Sequence, residues 1–221
     1  MNNKLATILF FAGLALLAVP AHAGSLVDGS AEAGKTKALT CTACHGPEGN
    51  SSSALWPNIA GQNAPYILDQ LKAFKNSMSA NHTRSGSAMS RMDPLMSSQA
   101  MLLSDQDMAD LAVYFESLPG AAQSVADASL LARGEALYRG GNKDSGAAAC
   151  LACHGPSGRG NPAAKYPALQ GQHAAYTAKQ LQSYASGERE TDGKTRIMRD
   201  IAVRLSKEDI EAVASYVQGL K

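Results

Sequence analysis

Aromatic side chains are scarce in this chain: one Trp, four Phe and seven Tyr among 221 residues, 5% in all. Protein cores normally draw much of their volume from such residues, so the shortage suggests that something other than side chains helps to fill them. Net charge is nearly absent too. Twenty Lys and Arg face 19 Asp and Glu, a formal charge of +1, which removes the basic excess that binding to a phosphate backbone requires, and no nucleic-acid partner is expected. Beyond the N-terminal region no apolar run is long enough to span a bilayer. The hydrophobic fraction of 45% is nonetheless ordinary, so the chain does not have the composition of a disordered protein.

The N-terminal apolar run covers residues 5–19, behind Lys4 and ahead of the small-residue triplet Ala21-His22-Ala23. It is too short for a membrane span, which needs about 20 residues, and it has the three-part layout of a secretory signal. Residues 1–23 are therefore expected to be removed after Ala23. The mature chain would start at Gly24 and carry 19 basic and 19 acidic groups. Export to a bacterial periplasm is the expected localisation.

The remainder is one unit written twice. Cys41-Thr-Ala-Cys44-His45-Gly46-Pro47 returns as Cys150-Leu-Ala-Cys153-His154-Gly155-Pro156. Pro57-Asn-Ile-Ala-Gly61-Gln62 returns as Pro167-Ala-Leu-Gln-Gly171-Gln172, and Tyr66, Gln70, Leu71 and Phe74 match Tyr176, Gln180, Leu181 and Tyr184. Leu103-Ser104 and Asp107 answer Leu205-Ser206 and Asp209. The order of landmarks divides the mature chain into domains 24–120 and 121–221, with a boundary at the helix-stopping segment 119–123.

Each unit is expected to be all-helical. Ser104 and Ser206 open S-x-x-D capping boxes. Behind them Met108, Leu111, Ala112, Phe115 and Leu118, and then Ile210, Val213, Ala214, Val217 and Leu220, follow the helical period. Further helices are expected near 31–39, 64–76, 128–138 and 174–185, separated by long Gly-, Pro- and Ser-rich loops. Loops of that length argue against a compact unit unless they wrap something.

The chemistry lies in the two C-x-x-C-H motifs, whose spacing reads as covalent attachment of haem c. Thiols three residues apart share a helical turn and can add to two vinyl groups on one side of a porphyrin, which leaves the next residue, His45 or His154, under the ring. A thioredoxin-like pair needs a βαβ setting that is missing here. A zinc site would pair two C-x-x-C units about 15–20 residues apart, and a disulfide framework does not explain the histidines. Two haems, one per unit, also answer the shortage of aromatics, because the porphyrin is a large apolar plate.

For the opposite face of each iron, the second half has a single methionine, Met198, eight residues before Ser206 in the loop feeding the last helix. The same register in the first half selects Met96, with Met92 and Met101 as alternatives. Met108 belongs to the helix stripe, and Met78 and Met89 are expected to be filler. His82, in a polar stretch, and His173, at a helix start, are read as non-ligands. A ligating His usually donates its second ring N–H to a carbonyl. The carbonyls of Pro57 and Pro167, 12 and 13 residues beyond their histidines, are candidate acceptors, unless those prolines merely shape the turn.

On these residues the chain resembles class I c-type cytochromes and, as a tandem pair, the dihaem cytochrome c4 family. The resemblance implies an all-α fold of two tandem cytochrome c-like domains, each wrapped around one covalent haem c. His45 and Met96 would hold one iron, and His154 and Met198 the other. Cys41, Cys44, Cys150 and Cys153 would form the thioethers, and the carbonyls of Pro57 and Pro167 would meet the axial histidines. It further implies that the first and last helices cross with Gly34 near Tyr114 and Gly134 near Tyr216, and that haem propionates meet at the domain interface. Its partners would be redox proteins, from a respiratory quinol-oxidising complex to a terminal oxidase, with loose association with the membrane. A dihaem peroxidase with one open iron is the alternative, though it would favour less symmetric halves. A haem-based sensor or an electron-accepting subunit of a dehydrogenase is a third reading.

Overall fold

A computed structural model describes residues 25–78 and 91–221. The expected signal segment, Met89 and His82 lie outside the described residues. Among the described residues ten α-helices form: α1 Ala31–Lys37, α2 Thr42–His45, α3 Ala64–Asn76, α4 Pro94–Met101, α5 Asp105–Ser117, α6 Leu131–Gly140, α7 Leu151–His154, α8 Ala174–Ser186, α9 Ile197–Ala202 and α10 Lys207–Gln218. Among the described residues the only extended pairing is at isolated bridges such as Arg91 with Arg189. The all-α expectation and the two tandem halves hold, with α1–α5 and α6–α10 in the same order.

Local chemistry sets the long helices. Both capping boxes form: the Ser104 hydroxyl accepts the Asp107 N–H and the Asp107 carboxylate accepts the Ser104 N–H, and Ser206 and Asp209 do the same. The stripes predicted behind them are buried. Met108, Leu111, Ala112 and Phe115 are 0–3% exposed, and Ile210, Val213, Ala214 and Val217 are 1–4% exposed. In the first half Leu111, Ala112 and Phe115 pack with Ala38, Ala64 and Ile67, and in the second Val213 and Val217 pack with Leu137, Tyr138 and Tyr216.

In each half the first helix crosses the last at a glycine. A Cβ on Gly34 would lie 2.7 Å from Tyr114 Cβ and against the Asp110 carbonyl; one on Gly134 would lie 2.7 Å from Tyr216 Cβ and against the Ala212 carbonyl. An acid ties each crossing. Asp107 and Asp110 pair with Lys37, and Asp209 pairs with Arg133 at 2.8 Å.

One expectation is corrected. Met96 and Met198 are not in loops but on the short helices α4 and α9. Asp93 caps α4, its Oδ1 accepting the Leu95 and Met96 N–H groups at 3.1 Å, with Pro94 in the first position. Arg196, in the left-handed region at φ 53°, turns the chain into α9. There the Asp192 carboxylate accepts from the Arg199 backbone N–H at 2.9 Å and from its guanidinium Nε at 2.8 Å.

Candidate functional site

Each C-x-x-C-H segment is a single helical turn, with Cys41 and Cys150 at the N-caps of α2 and α7. The four cysteines are all half-buried. The turn must then stop at once so that the chain can leave the histidine. Gly46 and Gly155 do this at φ 82° and 78°, a conformation that favours glycine. Burial pushes the Cys41 thiol up and the Cys150 thiol to about 11. These are the opposite of the activated thiolates of a redox C-x-x-C pair.

His45 and His154 are each 6% exposed. His45 Nδ1 lies 2.8 Å from the Pro57 carbonyl oxygen, and His154 Nδ1 lies 3.0 Å from that of Pro167. A carbonyl can only accept, so Nδ1 carries the hydrogen and Nε2 keeps its lone pair. Burial lowers both imidazole pKa values, and the carbonyl bonds raise them only in part. Both rings are therefore neutral at physiological pH and able to bind a metal through Nε2. Among the described residues no three His, Cys, Asp or Glu side chains converge as they would around zinc. Two thiols on one turn beside a buried neutral imidazole are a donor set that fits haem c.

Met96 and Met198 are both half-buried. Met92 and Met101 are 58% and 51% exposed, and Met101 instead lines an open cavity of about 550 Å³ with Lys72, Lys75 and Met78. Met108 is fully buried in the helix stripe, as expected. His173 has a role that the sequence did not disclose: its Nε2 lies 3.0 Å from the Ser51 carbonyl in the opposite half.

That contact belongs to a polar interface with approximate two-fold symmetry. Gln62 and Gln172, known from the sequence only as repeat landmarks, reach across it. Gln62 Oε1 accepts the Ala168 N–H at 2.8 Å, and Gln172 Oε1 accepts the Asn58 N–H at 2.9 Å. Asn63 Nδ2 donates to the Tyr166 carbonyl. Further along, Arg91 bonds Gln70, Tyr176 and Gln180, while Arg189 bonds Gln180, Tyr66 and Gln70. Their guanidiniums stack at 4.6 Å on Phe74 and Tyr184 respectively. Neither arginine has a carboxylate partner among the described residues. The signal that could have found this interface was the retention of Tyr and Gln, rather than apolar residues, at matching positions of both halves.

The comparisons with known proteins agree with this geometry. A family model for cytochrome c matches residues 31–119 and again 131–221. The cytochrome c4 of Azotobacter vinelandii is 45% identical over 222 residues, covering 100% of both chains. That of Stutzerimonas stutzeri is 44% identical over 220 residues, again covering 100% of both. The crystal structure of reduced recombinant cytochrome c4 from Pseudomonas stutzeri superposes with a TM-score of 0.82 at 46% identity, covering 87% of this chain and 100% of that one. The dihaem peroxidase reading gains no support from these relatives. The chain belongs to the cytochrome c4 family, the dihaem electron carriers built from two cytochrome c units, each with one covalent haem c.

Proposed function

We propose that His45 and Met96 ligate the first haem iron and His154 and Met198 the second. Thioethers would form from Cys41 and Cys44, and from Cys150 and Cys153, with domains 24–120 and 121–221 each folding around one haem. The observation that carries this reading is the pair of buried, neutral imidazoles. Each has Nδ1–H committed to a proline carbonyl, Pro57 or Pro167, so that only Nε2 is free to bind metal. Each bound haem takes up and releases one electron at a time. The rest is done by this chain. The proline carbonyls hold a proton on Nδ1 and so fix the tautomer and the ring orientation. The half-buried methionines supply a soft sulfur ligand of the kind that raises the reduction potential. Arg91 and Arg189, which find no carboxylate among the described residues, would supply positive charge to haem propionates brought to the interface.

The protein acts as a periplasmic carrier after cleavage of residues 1–23, taking electrons from a quinol-oxidising complex and delivering them to a terminal oxidase, with loose association with the membrane surface. The test is the optical spectrum of the reduced protein before and after carbon monoxide, with haem quantified per chain. Two haems and no spectral change are expected in the parent. Met96→Ala and Met198→Ala should each open one haem to carbon monoxide, while Met92→Ala and Met101→Ala open neither. A parent protein that binds carbon monoxide at half of its haem would refute the ligand set and favour peroxidase or sensor chemistry. An N-terminus other than Gly24 on the exported protein would refute the cleavage site.

A further inference from the structure

We infer that Gln62 and Gln172 are positioning residues that each tune the iron of the opposite half, through the peptide group that receives the axial histidine's hydrogen bond. The inference rests on the ligand assignment to His45 and His154 above. The carbonyl that accepts from His45 Nδ1 belongs to the Pro57–Asn58 peptide, and the N–H of that same peptide donates to Gln172 Oε1 at 2.9 Å. In the other half, the Pro167–Ala168 peptide accepts from His154 Nδ1 and donates through the Ala168 N–H to Gln62 Oε1 at 2.8 Å. Each glutamine also returns a bond. Gln172 Nε2 donates to the Asn58 carbonyl at 2.8 Å, and Gln62 Nε2 donates to the Ala168 carbonyl at 2.9 Å.

Both amides are held in place from their own half. Each Oε1 accepts a second N–H from the residue that follows it, Asn63 or His173, at the start of α3 or α8. Gly61 and Gly171, just before the glutamines, donate to the Phe115 and Val217 carbonyls of α5 and α10. Gln62, Gln172 and Asn58 are 7–9% exposed and Ala168 is half-buried, so bulk solvent has little access to these bonds.

An amide whose N–H is engaged becomes a stronger acceptor at its carbonyl, and burial amplifies that polarisation. A stronger acceptor draws the Nδ1 proton away from the ring and makes Nε2 a more basic ligand. A more basic ligand favours ferric over ferrous iron, so each glutamine lowers the potential of the haem held in the other half. The crossing is the specific content of the claim, because nothing in the sequence pairs Gln172 with His45. Neither glutamine carries charge, so exchange for a neutral side chain alters no formal charge.

The test uses the full-length dihaem protein and its Gln172→Met and Gln62→Met variants. Potentials are read for each haem separately by following the haem methyl resonances through a redox titration. Gln172→Met should raise the potential of the haem bound by His45 and leave the other in place; Gln62→Met should do the reverse. In the reduced protein the Nδ1–H resonance of the affected histidine should move upfield. Asn63→Ala, which cuts the bond to the Tyr166 carbonyl across the same interface, should move neither potential. Equal shifts at both haems, a shift at the haem of the same half, or the same crossed pattern in Asn63→Ala would overturn the inference. If the glutamine variants unfold, the Nδ1–H shifts of the neutral Gln172→Asn and Gln62→Asn variants, whose shorter amides withdraw the acceptor from the peptide, decide it: movement confined to the opposite half supports the relay, and no movement overturns it. The ligand reading is tested separately. If His45→Ala leaves both haems six-coordinate, that reading fails whatever the glutamines do.

Discussion

Asp110 is 3% exposed and remains ionised because of what surrounds it. Lys37 first, then the Ser30 N–H and the Gln106 amide, hold its pKa down to about 2. The folded value lies below the ordinary aspartate value of 3.8, so the charge stabilises the fold at neutral pH, and that contribution is lost as pH falls from 3.8 to about 2. Asp110→Asn should therefore lower the urea midpoint at pH 7, with a gap to the parent that narrows through this window. A gap that is unchanged at the acid end would show that the charge is not the source. The cysteines and histidines of the two C-x-x-C-H motifs were legible at this same residue scale. Their signal is local: two thiols on one turn and a ring at the next position. The partners of those rings were only half legible. A proline 12 or 13 residues downstream can face the imidazole or merely bend the chain, and only the folded path of the loop distinguishes the two.

The elements followed the same division between local and distant causes. Helices α3, α5, α8 and α10, each of 12 or 13 residues, carry enough turns for period and caps to be read in the sequence. Helices α4 and α9, with eight and six residues, fall below that window and were taken for loops, although Asp93-Pro94 was a visible start signal. Two predictions belong at this scale. Gly134→Ala places a methyl against Tyr216 Cβ and the Ala212 carbonyl, so it should cost about 2–3 kcal/mol by forcing α6 off α10, measured by chemical denaturation. Ser206→Ala removes the hydroxyl that caps α10 and should cost about 1 kcal/mol. If the cap matters only locally, the loss should be no larger than that of Ser104→Ala in the other half.

At the scale of the whole molecule the two halves are joined by amides and guanidiniums rather than by an apolar seam. Asn58 shows the consequence: its Oδ1 accepts the Ser51 N–H within its own half, and its Nδ2 donates to the Gly171 carbonyl in the other, both at 2.8 Å. Asn58→Ala should cost about 1–3 kcal/mol by leaving the Ser51 N–H unpaired, while the Gly171 carbonyl keeps its bond from the Gln123 amide. It should also split a single calorimetric transition into two as the halves uncouple; one sharp transition in the variant would show that the remaining bonds suffice. By itself the sequence determined the repeat, the helical class, the capping boxes and the two Cys-Cys-His trios, because each is written in residues within a turn or two of one another. Tertiary structure alone decided which methionines are half-buried, which carbonyls face the histidines, and how Gln172 comes to meet Asn58 across 114 residues of chain. Polar side chains that satisfy one another across an interface need neither period nor proximity in sequence, so no local pattern records them.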